Sequence, residues 1–224
     1  MPDGADFLAA LRAALTGRLA VAVEDPRAGS FGLLPGEALN HAIPKRLAEF
    51  AAGRRAARAA MAMLGMPVVA IPHGSDRAPQ WPEGVVGSIS HTGALCLAIV
   101  GRSGDWAGLG LDLESDHGLD VSLWPEILRP GEMARIKTLP DDTQGSAAMA
   151  VFVAKEAVYK AQYPTSCTLM GFHALDVETD GGRFAARFTL DVPGFARGTL
   201  IAGQFCRAEG YIAAYCAIRR PLGA

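Results

Sequence analysis

The spacing of apolar residues along the chain predicts several helices. In these stretches the apolar side chains recur at helical intervals, so that each helix has one apolar face. Pro44 suits a first helical turn, and Gly65 with Pro67 favours the end of the same helix. Pro164 is expected to end a later helix. The predicted helices cover residues 5–20, 44–64 and 147–162, and shorter helical pieces cover 122–128 and 131–138.

Other stretches either alternate apolar and polar residues or run apolar without a break, and both patterns predict strands. Turns rich in glycine separate some of them, for example Asp180-Gly181-Gly182. Each half of the chain therefore combines a long helix with several strands, which predicts an α+β fold and favours two similar lobes packed on each other. The predicted strands cover 20–23, 68–71, 85–90, 94–100, 107–114, 174–179, 183–190, 199–207 and 210–218.

Composition and charge argue against several classes of protein. The 224 residues carry a formal net charge of −2, whereas domains that bind nucleic acid are usually strongly basic. The longest apolar run, at 94–100, is too short to span a membrane, and Asp3 and Asp6 argue against a signal peptide. The cysteines lack zinc-binding spacing, so we expect reduced thiols in a cytoplasmic protein. They are Cys96, Cys167, Cys206 and Cys216.

Two acidic residues stand one position apart in an otherwise apolar predicted strand, at Asp112 and Glu114. Because side chains alternate between the two faces of a strand, both carboxylates point the same way. A solvated edge strand is one interpretation, although strands disfavour aspartate. Adjacent acids among apolar neighbours are costly unless a cation lies between them. Such a pair suits Mg²⁺, or Mn²⁺ as an alternative, with waters and substrate phosphates as further ligands.

A third acidic residue, Glu156, lies in the last long predicted helix between Lys155 and Lys160. Glu156 and Lys160 are four residues apart and share a helix face. A routine surface ion pair would explain them. The rest of this helix is strongly apolar, so that its charged side is small and concentrated, as at a binding site. With the strand acids, this pattern indicates a metal-dependent enzyme acting on a phosphate or pyrophosphate.

The segment from Gly87 to Gly93 places two serines, His91 and backbone amides at the end of a predicted strand. Small hydroxyls and free amides in this arrangement are typical of an anion cradle. A serine hydrolase is less well supported, because the segment lacks the Gly-x-Ser-x-Gly turn of that class. A purely structural role for His91 remains the alternative.

Basic residues recur along the second predicted helix, from Lys45 to Arg58. In one interpretation they form the solvated face of the helix, as most runs of charged residues do. In the other, the arginines bind phosphate, for which the guanidinium group has a favourable two-pronged geometry.

In their order along the chain, these motifs resemble the Sfp-type 4′-phosphopantetheinyl transferases, and more closely the branch of the enterobactin synthetase component D enzymes. The resemblance runs from about Ile43 to Leu175. Many relatives have tryptophan where this chain has Phe152, although the enterobactin-type branch often does not. The motifs that carry the resemblance are Lys45-Arg46 with Glu49-Phe50 and Arg54, residues 77–84, 86–91 and 110–114, and Phe152 through Pro164.

The resemblance implies a Mg²⁺-dependent transfer of the 4′-phosphopantetheine arm from coenzyme A to a serine of an apo carrier protein, with release of adenosine 3′,5′-bisphosphate. The carrier would be of peptidyl, aryl or acyl type, in siderophore or other secondary-metabolite biosynthesis. The implied fold is a monomeric pseudo-dimer of two similar lobes, each with a long helix packed on an antiparallel sheet. The lobes would comprise residues 1–106 and 107–224, joined in one catalytic unit with coenzyme A between them.

The resemblance also implies roles for individual residues. The metal ligands would be Asp112, Glu114 and Glu156. The catalytic residues would be Glu156, Lys160, Lys155 and His91. Coenzyme A would be bound by Arg46, Arg54, His73, Arg77, Ser90, His91, Lys155 and Lys160.

The sequence leaves several questions open. Glu156 is either the base that deprotonates the carrier serine or mainly a metal ligand. Some relatives carry a lysine at the position of His73, so either His73 or Arg77 contacts phosphate. Residues 128–136 and their arginines form a candidate docking surface for an acidic carrier. The alternative to an enzyme is a binding module for coenzyme A or a carrier, whereas a nucleoside-triphosphate enzyme is disfavoured by the lack of a Gly-x-x-x-x-Gly-Lys-Ser/Thr loop.

Overall fold

The computed structural model describes residues 5–14, 18–29, 32–39 and 42–221. Within these ranges the chain forms helices and antiparallel strands, with two short 3₁₀ turns that precede α3 and β5. The helices are α1 (Ala5–Ala14), α2 (Pro44–Met63), α3 (Trp124–Ile127), α4 (Pro130–Ile136) and α5 (Asp141–Ser166). The strands are β1 (Leu19–Glu24), β2 (Val85–Thr92), β3 (Leu95–Arg102), β4 (Trp106–Ser115), β5 (Leu175–Asp180), β6 (Arg183–Phe188), β7 (Leu200–Ala208) and β8 (Tyr211–Arg219).

The strands form two antiparallel sheets. A three-stranded sheet has the order β1-β3-β2, and a five-stranded sheet has the order β4-β8-β7-β6-β5. In the smaller sheet Ser90 pairs with Leu97, and in the larger one Asp112 pairs with Ala214. The predicted α+β class, with helices packed on antiparallel sheets, is confirmed.

Three apolar clusters join the helices to the sheets. Helix α2 buries its alanine face, which includes Ala56 and Ala60, against the three-stranded sheet. Helix α5 packs on the five-stranded sheet through residues such as Val153 and Val158. A third cluster contains residues of both sheets, so it holds the two halves of the described chain together.

The two sheets meet side by side at β2 and β4, where serine side chains bridge the strands. The backbone N–H of Leu111 donates to Ser88 Oγ at 3.1 Å, and that of Leu113 donates to Ser90 Oγ at 3.2 Å. These hydroxyls satisfy buried backbone donors of β4, which would otherwise be costly. The bridge fixes the position of Asp112, which lies between the two bonded residues.

Helix α5 lies unusually close to β4, because two glycines of the strand leave room for it. A Cβ built on Gly108 would lie 1.9 Å from the carbonyl oxygen of Ala161, and one on Gly110 would lie 1.8 Å from that of Ala157. No side chain fits at such distances. The glycines therefore set the separation between the strand that carries the paired acids and the helix that carries Glu156 and Lys160.

Helix α4 covers the exposed edge of the larger sheet at β5. Glu132 Oε1 accepts the backbone N–H of Val177 at 2.7 Å, and Arg135 Nη2 donates to the carbonyl oxygen of Val177 at 2.9 Å. An edge strand capped in this way is protected from pairing with another chain. Arg129 donates to the carbonyl oxygen of His173. Both arginines of the candidate carrier-docking segment are thus engaged within the protein.

The predicted elements agree with the structure except at three places. The helix expected over 5–20 is described over Ala5–Ala14, residues 15–17 lie outside the described ranges, and β1 begins at Leu19, within the span predicted as helix. Residues 68–71, all described, form no strand, because the backbone N–H and carbonyl oxygen of Ile71 bond to the side chains of Glu37 and Arg54 and not to a neighbouring strand. Helix α5 begins six residues earlier than predicted and continues past Pro164 to end at Ser166, where Cys167 caps it with a φ of 48°.

Among the described residues, no helix combines the length and the apolar character needed to cross a membrane. None of the four cysteines, all of which lie in the described ranges, forms a disulfide, and Cys96, Cys206 and Cys216 are buried. Cys167 is exposed, because it caps the end of α5 rather than lying in a strand.

Candidate active site

A cleft of about 660 Å³ lies where α2, β2, β4, α5 and the loop over residues 72–82 meet. Its walls bring together side chains that are far apart in the sequence. The lining residues for which the sequence predicted a role are Arg46, Arg54, Arg77, Ser90, His91, Asp112, Glu114 and Lys160.

Asp112 is buried at the floor of this cleft, and only one of its carboxylate oxygens is paired. Oδ1 accepts a hydrogen bond from Lys160 Nζ at 2.7 Å and another from Ser90 Oγ at 2.9 Å. Among the described residues, none bonds to the buried Oδ2. A buried carboxylate oxygen without a donor is costly, so this atom is oriented to receive a cation or a donor from a ligand.

Glu114 and Glu156 experience the charge of Asp112. Burial, and after it the charge of Asp112, raises the pKa of Glu114. The same two causes, in the same order, raise the pKa of Glu156. Glu156 lines a smaller pocket of about 100 Å³, and Tyr159 lines both this pocket and the main cleft. The three acids are therefore close enough to affect one another, although Glu156 lines the smaller pocket and not the main cleft.

The donors fit a divalent cation that is shared with a ligand. Within the described ranges, no three His, Cys, Asp or Glu side chains stand ready to hold a metal by themselves. Mg²⁺ does not require such a group, because it is commonly held by one or two carboxylates together with phosphate oxygens and waters. The unpaired Oδ2 of Asp112 and the half-buried Glu114 supply carboxylates of this kind.

The wall opposite the acids is basic. Arg54 is 5% exposed, donates through Nε to the carbonyl oxygen of Ile71 at 2.8 Å and lies over the ring of Phe50. Burial lowers the pKa of Arg54 to about 10, so it keeps its charge at neutral pH. Arg46 Nη1 contacts His91 Nε2. Burial, followed by the charge of Arg46, lowers the pKa of His91, so its imidazole is mostly neutral at neutral pH.

The prediction that Lys155 binds phosphate is wrong in this structure. Lys155 is 1% exposed, and its Nζ donates to Glu132 Oε2 at 2.6 Å and to the carbonyl oxygen of Ile127 at 2.8 Å. Five helical residues correspond to a rotation of about 140° relative to Lys160, so the two lysines cannot share a face. Lys160 alone of this pair points into the cleft.

His73 is also placed differently from the expectation. Its ring nitrogens lie 2.8 Å from the carbonyl oxygen of Gly74 and 3.0 Å from that of Ala38, so both face the backbone. The neighbouring Arg77, at a φ of 68°, lines the cleft instead. Of the two candidates, the structure therefore favours Arg77 as the residue that meets a ligand.

Four of the lining residues that had been given no role from the sequence carry a carboxylate or a phenol. Glu49 is buried and lies 3.6 Å from Arg46 Nη1 and 3.7 Å from His91 Nδ1, which it holds in place. Glu49 follows Arg46 by three residues on a helix, and this spacing could have predicted from the sequence that the two side chains are neighbours. The others are Asp76, Tyr159 and Tyr163, of which the two tyrosines follow Glu156 at helical spacing.

We expect Gly110→Ala to disrupt this site from outside the cleft. The added methyl group would meet the carbonyl oxygen of Ala157, so α5 must move away from β4 and carry Lys160 away from Asp112. A loss of about 3 kcal/mol in the free energy of unfolding, the upper range for overpacking, is expected together with reduced activity.

Urea unfolding and initial rates would measure both effects. Gly104→Ala is the matched control, because among the described residues no heavy atom lies within 4 Å of a Cβ at that position. Equal stability and rate for the two variants would contradict the positioning role of Gly110.

Comparison with known proteins supports the interpretation of these motifs. Residues 35–101 match the family model described as the 4′-phosphopantetheinyl transferase N-terminal domain, and residues 108–216 match that of the 4′-phosphopantetheinyl transferase superfamily. The chain is 36% identical over 200 residues to 4′-phosphopantetheinyl transferase Svp of Streptomyces mobaraensis, which covers 85% of this chain and 80% of Svp.

Two further relatives belong to other bacteria. The chain is 35% identical to 4′-phosphopantetheinyl transferase PptT of Mycobacterium tuberculosis, across 70% of this chain and 73% of PptT. It is 37% identical to enterobactin synthase component D of Salmonella typhimurium, across 62% of this chain and 57% of that protein.

Proposed function

This chain belongs to the 4′-phosphopantetheinyl transferase superfamily and is an enzyme of that type, and from this premise we propose that it transfers the phosphopantetheine arm of coenzyme A to a serine of an apo carrier protein. The observation that carries the proposal is that Asp112, Glu114 and Lys160 line the same cleft as Arg46 and Arg54. Such a cleft suits a ligand with several phosphate groups.

The basic wall would bind the phosphates of coenzyme A. Arg46 and Arg54 are fixed by Glu49 and by the carbonyl oxygen of Ile71, so little side-chain freedom is lost when a phosphate binds. His91 would orient Arg46 for phosphate binding, because its Nε2 accepts from Arg46 and its Nδ1 faces Glu49, and Arg77 would approach from the loop. These assignments leave Lys155 outside the set of phosphate ligands.

In the transfer step, the carrier serine oxygen would form a bond to the phosphorus on the pantetheine side of coenzyme A. The bond from this phosphorus to the bridging oxygen would break, and that oxygen would leave with adenosine 3′,5′-bisphosphate. Lys160, held at 2.7 Å from Asp112, would supply positive charge beside the reacting phosphate.

Glu156 would accept the proton of the carrier serine, directly or through a water molecule. Burial raises the pKa of Glu156, and a carboxylate with a raised pKa accepts a proton more readily than an ordinary glutamate does. The smaller pocket that it lines gives it a position beside the cleft, from which a carrier serine would approach.

Mg²⁺, or Mn²⁺ in its place, would be held by Asp112 and Glu114 with Glu156 nearby, and when bound it would neutralise the charge that develops on the leaving phosphate. The unpaired Oδ2 of Asp112 is the structural feature that supports this assignment.

The carrier class is the finer part of the proposal. Because one relative is an enterobactin synthase component, we propose that aryl and peptidyl carriers of siderophore or other secondary-metabolite assembly are substrates, with acyl carriers as alternatives. We propose a monomer as the active unit, as the family resemblance implies.

Mass spectrometry of apo carriers incubated with the protein, coenzyme A and MgCl₂ tests the proposal. We expect aryl or peptidyl carriers to gain one phosphopantetheine group, and we expect EDTA to abolish the gain. The absence of a mass gain on every carrier would contradict the proposed substrates. Full transfer in the presence of EDTA would contradict the metal assignment.

A further inference from the structure

A hydrogen bond closes one side of the cleft between two parts of the chain that are 87 residues apart. Tyr163 Oη, on the last turns of α5, donates to Asp76 Oδ2, on the 72–82 loop, at 2.8 Å. Both residues line the cleft. The bond therefore joins two walls of the cleft, one formed by α5 and the other by the 72–82 loop.

The aspartate is held in place from within its own loop. Asp76 Oδ1 accepts the backbone N–H of Ala78 at 3.0 Å, which leaves Oδ2 free to reach the tyrosine. The loop itself is a tight hairpin, since the N–H of Gly74 donates to the carbonyl oxygen of Ala78 at 2.9 Å. Its tip is thus a small rigid unit that carries both Asp76 and Arg77.

The tyrosine is held from the helix. The rings of Tyr163 and Tyr159 lie 5.9 Å apart in a tilted arrangement, so neither is free to swing without disturbing the other. The hydrogen bond lowers the pKa of Asp76 and raises the pKa of Tyr163, as expected when a phenol donates to a carboxylate. Both partners are thus preorganised for the bond.

We propose that Tyr163 and Asp76 form a latch that holds the 72–82 loop, and Arg77 with it, against bound coenzyme A. The inference rests on the proposed function, because it takes coenzyme A as the ligand of the cleft. With the latch closed, Arg77 is kept facing the cleft before the ligand arrives, so less ordering is needed on binding. With the latch open, the loop is anchored only at its base, and coenzyme A enters and leaves.

The latch is separable from the stability of the fold, because both partners are at the surface of the cleft. Removing an exposed hydrogen bond between side chains changes the free energy of unfolding very little. Its loss acts instead on the ligand-bound state, in which the loop must be ordered. Tyr163 and Asp76 are in this sense positioning residues, whose effect is transmitted through Arg77.

The test compares coenzyme A binding to the wild-type chain and to Tyr163→Phe, by calorimetry for the Kd and by stopped flow for the release rate. The net contribution of one exposed side-chain hydrogen bond corresponds to about a three- to tenfold rise in Kd, which should appear as faster release. In steady-state assays the change is expected in KM for coenzyme A more than in kcat.

A double-mutant cycle distinguishes the latch from an unrelated effect of the hydroxyl group. Tyr163→Phe should have no effect on the Kd in an Asp76→Ala background, because the partner is already lost. Asp76→Asn keeps an acceptor without the charge, so Tyr163→Phe should still weaken binding in that background. Tyr215→Phe is the matched control, since that hydroxyl donates to Gln204 outside the cleft.

An unchanged Kd in Tyr163→Phe, or an equal rise in the Asp76→Ala background, would overturn the latch. If the wild-type chain itself did not bind coenzyme A, the proposed function would fail and the latch with it. A wild-type chain that binds coenzyme A while all variants bind equally well would overturn the latch alone.

Discussion

Replacing Asp112 with asparagine is expected to lower phosphopantetheinyl transfer about a thousandfold or more, which corresponds to about 4 kcal/mol of transition-state stabilisation. The change keeps the shape of the side chain but removes the charge that pairs with Lys160 at 2.7 Å. It also replaces the unpaired carboxylate oxygen with a weaker ligand for a cation. Two requirements of the proposed mechanism, a held cation and an oriented lysine, are thus lost in one substitution. Initial rates from carrier mass spectra measure the effect.

Asp116→Asn is the matched control for the loss of one carboxylate charge. Asp116 follows the same strand and also has a buried oxygen, Oδ1, that no described residue bonds. Its other oxygen lies 3.5 Å from Arg207, away from the residues that line the cleft. We expect this variant to keep wild-type rates. A folded Asp112→Asn variant that also keeps them would remove Asp112 from the site.

The paired acids were predictable because strand geometry alone determines their direction. Alternation places Asp112 and Glu114 on one face of β4, and both line the cleft. The four-residue spacing of Glu156 and Lys160 likewise gave them a common helix face, yet only Lys160 reaches the main cleft. The sequence determines which residues share a face but not how far that face extends into a cavity.

Other features depend on contacts between distant parts of the chain and were not predictable from local patterns. The serine bridge between β2 and β4 joins residues 23 positions apart through side chains, and sheet-pairing rules do not include such contacts. His73 was misassigned because the loop hairpin decides which side chain turns inward, and a φ of 68° at Arg77 has no sequence signature. Val68 and Val69 have strand propensity, but a strand also needs a neighbour.

The second large expected effect concerns Lys155, which the sequence wrongly assigned to phosphate binding. Removing one partner of a buried ion pair strongly destabilises a fold, because the other charge stays buried without a partner. We expect Lys155→Met to lower the free energy of unfolding by about 3–5 kcal/mol, as measured by urea denaturation. The variant would leave Glu132, whose side chain is fully buried, without its cationic partner. Glu132 also accepts the backbone N–H groups of Arg129 and Val177, so it cannot turn toward solvent without breaking both bonds.

Lys137→Met is the control, because Lys137 is exposed at the end of α4 and surface substitutions usually change stability by less than about 0.5 kcal/mol. The two possible roles of Lys155 predict opposite results. A phosphate-binding lysine would leave the variant stable but unable to bind coenzyme A tightly. A buried structural lysine makes it unstable, with near-normal affinity for coenzyme A at temperatures where it remains folded. The stable but non-binding result would contradict the structure, because Lys155 Nζ would then have to exchange Glu132 and the carbonyl oxygen of Ile127 for a ligand in the cleft.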